Sequence, residues 1–321
     1  MSRRENKRIT HTRRKFTLKR ILITGSNGLL GQKTVELLSR TSYPLMLVSI
    51  ESHSVFDKEI FPYRELDLTK RQNVRKIIDE FEPEVIVHTA AVTDVDLCEK
   101  ERGLAWQVNV SAVENISYAA KLVGAKIIHL STDYVFDGSN GPYSEIDRPN
   151  PISYYGRTKL ASENVLLTSN VSSAILRTMV LYGTGIAVKP NFALWLYNNL
   201  SQKTPIKVVD DQFGNPTLVD DLALAILKII ELNKSGIYHV AGKDLVSRYE
   251  FALTLADVFK FNKKLITPVK STTFKQPAPR PLKSGFITLK AETDLSLKMS
   301  GMERGITIFK NQLELLNSKN V

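Results

Sequence analysis

Tyr155 and Lys159 stand four residues apart in "YYGRTK" (154–159). On a helix, positions i and i+4 share a face, so a phenol and an ammonium can serve one site. A free phenol titrates near pH 10 and is a poor acid at neutral pH. A nearby ammonium stabilises the phenolate and lowers that value. Such a pair suits the reduction of a ketone, which needs hydride at carbon and a proton for the developing alkoxide. A third group should hydrogen-bond the carbonyl. Thr132 ends the apolar run "IIHLST", 23 residues before Tyr155, and is placed for that task. Tyr154 is five residues from Lys159 and should point elsewhere. Tyr and Lys are common, so the spacing by itself also fits an ordinary helix start.

The hydride must come from a cofactor, and a second motif supplies its anchor. "TGSNGLLG" sets Gly25, Gly28 and Gly31 at G-x-x-G-x-x-G spacing, with Asn27, Leu29 and Leu30 between them. A diphosphate needs close backbone approach, which a Cβ would block. It also gains from the free N–H groups and positive dipole end of a helix. Glu51 lies 26 residues past Gly25, where an acidic group holds the adenosine ribose of NAD. Ser52, His53 and Lys58 in the same loop suit a 2′-phosphate, so NADH and NADPH both remain open. Asp67 and Leu68, in "ELDLT", fall where an acidic residue often sits near adenine. Asp67 reads equally well as a cap for a helix starting near Thr69.

These residues need a scaffold, and the hydrophobic pattern describes one. "RILITG" (20–25) predicts a buried strand and "LLGQKTVELLSR" (29–40) a helix. "LMLVSI" (45–50) is strand-like. "KRQNVRKIIDEF" (70–81) is amphipathic, with Val74, Ile77, Ile78 and Phe81 on one face. "EVIVHTAA" (84–91), a helix over 101–123, "AKIIHLST" (125–132), a helix over 153–168 and "SAILRT" (173–178) continue the series. Strands alternating with helices predict an α/β fold: a doubly wound, Rossmann-like parallel sheet covered on both faces. Beyond residue 180 prolines break the rhythm, and helical patterns persist at 218–232, 247–260 and 303–317. The expected organisation is a basic, disordered tail (1–19), a dinucleotide-binding domain (20–180) and a smaller substrate lobe (181–321). That lobe interleaves with the end of the main sheet.

Composition narrows the class. The net charge is +11, but residues 1–20 hold nine Lys/Arg and one acidic residue, so +8 sits there and the body carries +3. The tail reads as a solvated extension rather than a nucleic-acid contact or a transit peptide. No apolar run approaches the roughly 20 residues of a membrane span. No apolar leader is evident, and a cytoplasmic location is expected. Cys98 is the only cysteine, which excludes an intrachain disulfide and a cysteine-based zinc site. No metal site is expected.

Together these motifs resemble the extended short-chain dehydrogenase/reductase superfamily. "HTAAVTDVDLCE" (88–99), "LSTDYVFDG" (130–138), "PYSEIDRPNPISYYGRTK" (142–159), "ILRTMVLYG" (175–183) and "VVDDQFGNPTLVDDLA" (208–223) resemble the dTDP-4-dehydrorhamnose reductase family. The resemblance covers residues 20 to 300. It implies NAD(P)H-dependent reduction of the 4-keto group of dTDP-4-dehydro-L-rhamnose, with a nucleotide sugar as partner. Thr132, Tyr155 and Lys159 become the catalytic set. Lys159 would also hold the nicotinamide ribose. Ala90, Ala91 and Val92 would run beside the cofactor. Thr93, Asp94, Val135, Asn191, Gln212, Asn215 and Arg280 would contact the sugar nucleotide, and Asn109 would support the site. Some relatives dimerise, so the resemblance allows a homodimer. Three departures lie on the substrate side: Lys283 in "RPLKSG" replaces an asparagine, Val92 stands where tyrosine is frequent, and Met179 precedes "VLYG". The same motifs also resemble two neighbours in function. One is a nucleotide-sugar epimerase or dehydratase. The other is the regulatory β-subunit of methionine adenosyltransferase, a binding partner that keeps a dinucleotide site.

Overall fold

The structure is a computed structural model and describes residues 19–319. The basic tail lies outside the described residues, save Lys19, whose ammonium donates to the Ile230 carbonyl at 2.6 Å. Strands β1 (Ile21–Thr24), β2 (Leu45–Ser49), β3 (Tyr63–Glu65), β4 (Val85–His88), β5 (Lys126–Thr132) and β6 (Ser173–Thr178) enter the main sheet in chain order. Four short strands follow: β7 (Leu181–Tyr182), β8 (Ile206–Val209), β9 (Phe213–Gly214) and β10 (Thr217–Leu218). β11 (Gly236–His239) then returns to the main sheet, and β12 (Val246–Ser247) and β13 (Ile266–Val269) pair with β9 and β8. The seven-stranded order is β11-β6-β5-β4-β1-β2-β3, parallel throughout.

The period of two explains why both faces are covered. Ile21 and Ile23 of β1 face one layer, where α1 (Leu29–Leu38) packs with α8 (Val219–Leu232). Leu22 faces the other, with Val74 and Ile78 of α2 (Arg71–Phe81) and Val113 and Ile116 of α5 (Ala112–Val123). A strand apolar at every position is one buried on both sides, as the parallel arrangement requires. Chain order reverses between β1 and β4. The loops there diverge and leave a crevice at the strands' carboxyl ends.

Two stretches differ from the sequence expectation. The helix expected over 101–123 is α4 (Arg102–Trp106), a π-helical turn at Gln107–Ser111, and α5. A separate α3 (Val95–Lys100) precedes it, N-capped by Asp94, whose carboxylate accepts from Leu97 N at 2.9 Å. Single helical turns fall below the window in which periodicity can be read. The π turn coincides with the fully buried Asn109, and such turns recur at functional positions.

The later elements build a second core. α7 (Phe192–Ser201), α9 (Arg248–Phe259) and α11 (Met302–Lys319) pack around Tyr182, Phe251 and Phe309. Its helix ends are well specified: Ser247 and Glu250 form a reciprocal capping box at α9. α10 (Leu289–Asp294) covers the main sheet beside β11.

Candidate active site

The glycines occupy three different environments. Gly25 has φ of +66° and ends β1; a Cβ there would meet Ala90 N at 2.8 Å. The turn after β1 therefore touches the "TAA" loop after β4, and both walls of the crevice meet at Gly25 and Ala90. At Gly31 a Cβ would come within 2.2 Å of the Gly25 carbonyl, so this glycine lets α1 close on the turn. Gly28 is exposed, and its nearest neighbour would be the Gly25 oxygen at 3.2 Å. Space beside Gly28 is open on the crevice side. No side chain caps α1, and no acidic residue lies in its first turn, so its leading N–H groups are free to receive an anion. These features fit a dinucleotide diphosphate, with the backbone at Gly28, Leu29 and Leu30 as its seat.

Asn27 and Glu51 meet at the end of β2. The Asn27 amide donates to Glu51 Oε2 at 3.4 Å and to the His53 carbonyl at 2.7 Å, and its oxygen accepts from Val55 N at 3.2 Å. Ser49 also donates to Glu51, and Tyr63 to the Glu51 carbonyl. Glu51 is thereby held, exposed, at the edge of the cradle, with Ser52, His53 and Lys58 exposed in the same loop. Asp67 accepts from Thr69 N at 2.9 Å and Thr69 Oγ1 at 2.7 Å. Burial pushes its carboxyl up, but those two donors outweigh it and hold the group below its usual value. Its contacts are those of a turn before α2. Leu68 packs at the edge of the α2–α5 layer and gives its carbonyl to Asn115 at 3.0 Å.

The catalytic candidates converge at β5, which β4 separates from β1. Thr132 ends β5, and its hydroxyl favours the ionised form of the nearby Tyr155 phenol. It also donates to Asp133 Oδ1 at 3.1 Å and caps the turn Asp133–Val135. Tyr155 stands in the first turn of α6 (Tyr154–Thr168), whose N-cap Ser153 accepts from Gly156 N at 3.2 Å. Gly156 is a packing requirement: a Cβ would lie 2.0 Å from the Tyr134 carbonyl. The glycine of "YYGRTK" thus lets α6 press against the turn that carries Thr132. Tyr154 points away, its ring under the Arg102 guanidinium at 5.1 Å. Asn109 braces the inner wall. It accepts from Val92 N at 2.9 Å and donates to the Val92 carbonyl at 3.0 Å and Thr158 Oγ1 at 3.1 Å.

Electrostatics differ from the sequence expectation in one respect. Burial holds the Tyr155 phenol well above its ordinary value; the Thr132 hydroxyl works against this, and Asp133, Tyr134 and Cys98 add to it. The Lys159 ammonium is not bonded to the phenol. It lies 3.3 Å from His129 Nε2, and burial lowers it to about 8 while Glu163 and Cys98 hold it up. Tyr155 and Lys159 share a helix face as the spacing requires, but the ammonium turns towards the sheet.

Several residues assigned to the sugar side are engaged within the protein. Arg280 grips Asp96 with two bonds of 2.6 and 2.8 Å and also donates to the Ala278 carbonyl. Asn191 caps α7, accepting from Leu194 N at 3.1 Å and donating to the Gly183 carbonyl. Asn215 is buried, and its oxygen accepts from Phe286 N at 2.8 Å. Val135 is wholly buried beside Phe136 and Phe286. In this arrangement Val135 and Asn215 have almost no surface with which to meet a ligand. Thr93 is exposed at the crevice rim, next to Asp94.

Gln212 lines a small enclosed cavity with Asp133, Tyr134, Ser247, Arg248 and Ser284. Arg248 was not evident from the sequence. Its guanidinium lies 5.0 Å over the Phe192 ring and forms no ion pair among the described residues. The only available signal was an arginine next to the capping serine of a helix.

A parallel sheet with a glycine cradle at its switch point, and a Thr-Tyr-Lys set at β5 beyond β4, defines an extended short-chain dehydrogenase/reductase. The family described as "RmlD substrate binding domain" matches residues 19–314, and the chain belongs to it, among the dTDP-4-dehydrorhamnose reductases and their relatives. A dTDP-4-dehydrorhamnose reductase of Aggregatibacter actinomycetemcomitans is 33% identical over 299 residues, covering 89% of this chain and 97% of that protein. Methionine adenosyltransferase 2 subunit beta of Rattus norvegicus is 32% identical over 260 residues, covering 78% and 75%. Among solved structures, the dTDP-4-dehydrorhamnose reductase of Bacillus anthracis in complex with NADP superposes with a TM-score of 0.83. It is 34% identical, with 92% of this chain and 100% of that chain covered.

Proposed function

We propose that this chain is an NAD(P)H-dependent reductase of the 4-keto group of a nucleotide-linked deoxysugar, with dTDP-4-dehydro-L-rhamnose as substrate and dTDP-L-rhamnose as product. The observation that carries the reading is the placing of Thr132, at the carboxyl end of β5, close to the Tyr155 phenol, at the same end of the parallel sheet as the glycine cradle that follows β1. The named reductase relatives and the NADP complex support it. Leu29 and Leu30 would seat the dinucleotide through backbone N–H groups, beside the open approach at Gly28, whose own N–H donates to the Gly25 carbonyl at 2.9 Å, with Glu51 or its loop neighbours at the adenosine ribose. The bound nicotinamide supplies hydride to the carbonyl carbon. Thr132 orients the carbonyl oxygen, and Tyr155 gives it a proton as charge develops. The buried ammonium of Lys159 favours the phenolate that this leaves.

Assay of the purified protein with NADH and NADPH against dTDP-4-dehydro-L-rhamnose tests the proposal. One equivalent of reduced cofactor should be consumed per sugar. Conversion without net cofactor consumption would indicate an epimerase. A second reading, a subunit role, draws on the 32% identical methionine adenosyltransferase subunit. Capture of a methionine adenosyltransferase together with no turnover of keto sugar would favour it.

A further inference from the structure

A column of buried polar side chains lies beneath Lys159. His88 ends β4, and His129 is its register partner on β5. Their rings stack with centroids 5.4 Å apart, and both are almost wholly buried. His88 Nδ1 meets Thr24 Oγ1 at 2.7 Å, while His129 Nε2 meets Ser162 Oγ at 2.9 Å and Lys159 Nζ at 3.3 Å. His88 Nε2 and His129 Nδ1 have no partner among the described residues. Two imidazoles in the dry interior of a sheet are costly, because each leaves a polar nitrogen unmet.

The usual partner for a buried ammonium is a carboxylate, and one stands at the right spacing. Glu163 is one turn after Lys159, but it is held by Arg177 through bonds of 2.6 and 2.9 Å and also accepts from Ser131. Lys159 forms no ion pair among the described residues. The charged and titratable groups around it are His88 of β4, His129 of β5, Cys98 of α3, and Glu163 on its own helix. Burial and the lysine itself keep both histidines neutral, His88 at about 3 and His129 well below its ordinary value. A carboxylate at His129's position would cancel the lysine's charge. A neutral ring receives an N–H and leaves the charge intact for the phenol and ribose side.

We propose that His129 is a positioning residue for Lys159: its neutral ring, backed by His88 and steadied by Ser162, is the acceptor that holds the ammonium at the base of the site. The assignment rests on the reductase reading for its role in turnover, but not for the contact itself. Ser162 Oγ also lies 2.7 Å from the Lys159 carbonyl, so this hydroxyl sits between the ring and the lysine's own helix turn.

Two substitutions separate position from mere bulk. His129→Gln offers an amide oxygen to Lys159; His129→Leu offers no acceptor. The lysine should titrate about one pH unit lower in the leucine variant, the size expected for one hydrogen bond to a charged group, and return towards wild type in the glutamine variant. Side-chain ¹⁵N NMR of the lysines reads this directly, with the signal assigned by Lys159→Arg. The alkaline limb of kcat should move with it, while KM for the keto sugar stays within about threefold. An unmoved Lys159 titration in folded His129→Leu would overturn the proposal. So would equal displacement in both variants, which would assign the effect to packing. Because the titration needs no substrate, absence of keto-sugar turnover by the wild type would sink the reductase reading alone.

Discussion

The cradle and the sugar wall are built from different materials. At the cradle the work falls to backbone: Gly25 turns the chain at positive φ, Gly31 admits α1 to within packing distance of that turn, and Gly28 keeps the approach open. At the sugar wall it falls to long side chains whose partners decide their availability. Arg280 is taken up by Asp96, 184 residues away in sequence, and Asn191 by a helix cap. Arg248, in no ion pair among the described residues, lines the cavity with Asp133 instead. A site made by backbone announces itself as a spacing of glycines. A site made by side chains is defined only after tertiary pairing has chosen which charges remain free.

Substitutions should expose that difference, beginning with the largest effect. Gly31→Val drives a side chain into the Gly25 carbonyl, and overpacking against backbone should destabilise the fold by about 3 kcal/mol or more, read by denaturant unfolding. A near-native unfolding midpoint would show that the turn yields. Tyr155→Phe should lower turnover by about 10² or more while NADPH fluorescence titrations stay close to wild type. Full activity in that variant would remove Tyr155 from the mechanism. Gly28→Val, whose Cβ meets little protein, should leave the unfolding midpoint near wild type yet weaken dinucleotide binding by roughly tenfold. Equal loss of stability at Gly28 and Gly31 would erase the distinction between cradle and packing glycine. On the sugar wall, a double-mutant cycle of Arg280→Gln and Asp96→Asn should return a coupling of about 1 kcal/mol in stability, since the pair is partly exposed. No coupling, with a raised KM for the sugar, would mean that Arg280 serves the ligand.

A further effect is a pH dependence. Lys159 titrates at about 8 in the fold against an ordinary 10.5, so activity needing its charge should fall as pH rises through about 8. Stability has the opposite sign. Between those two values the unfolded chain binds the proton and the folded chain does not, so this group's contribution to stability rises with pH across the window. Unfolding titrations from pH 7 to 11, compared with Lys159→Met, check it. A fall attributable to Lys159 would contradict the burial of its ammonium.

Much of the fold was legible because burial on both faces imposes continuous apolar strands, as in "ILIT", and covering helices impose a helical stripe, as at Val74 and Ile78. The short α3 and the π turn at Asn109 were not, since neither spans enough residues to repeat. Tyr155 and Thr132 could be brought together on paper because a helix start and a strand end have fixed places in a doubly wound sheet. The orientation of Lys159 could not. The ammonium lies against His129, while the carboxylate one turn on, Glu163, is held by Arg177.

The central claim is that Tyr155 and Thr132 face a hydride donor seated on the glycine cradle. NADPH deuterated at the transferring C4 position of the nicotinamide, incubated with dTDP-4-dehydro-L-rhamnose, tests it most directly by NMR of the recovered sugar. The account predicts one deuterium at sugar C4 in the wild type and none above background in Tyr155→Phe over the same interval. Product free of deuterium, or label transferred equally by both proteins, would contradict it.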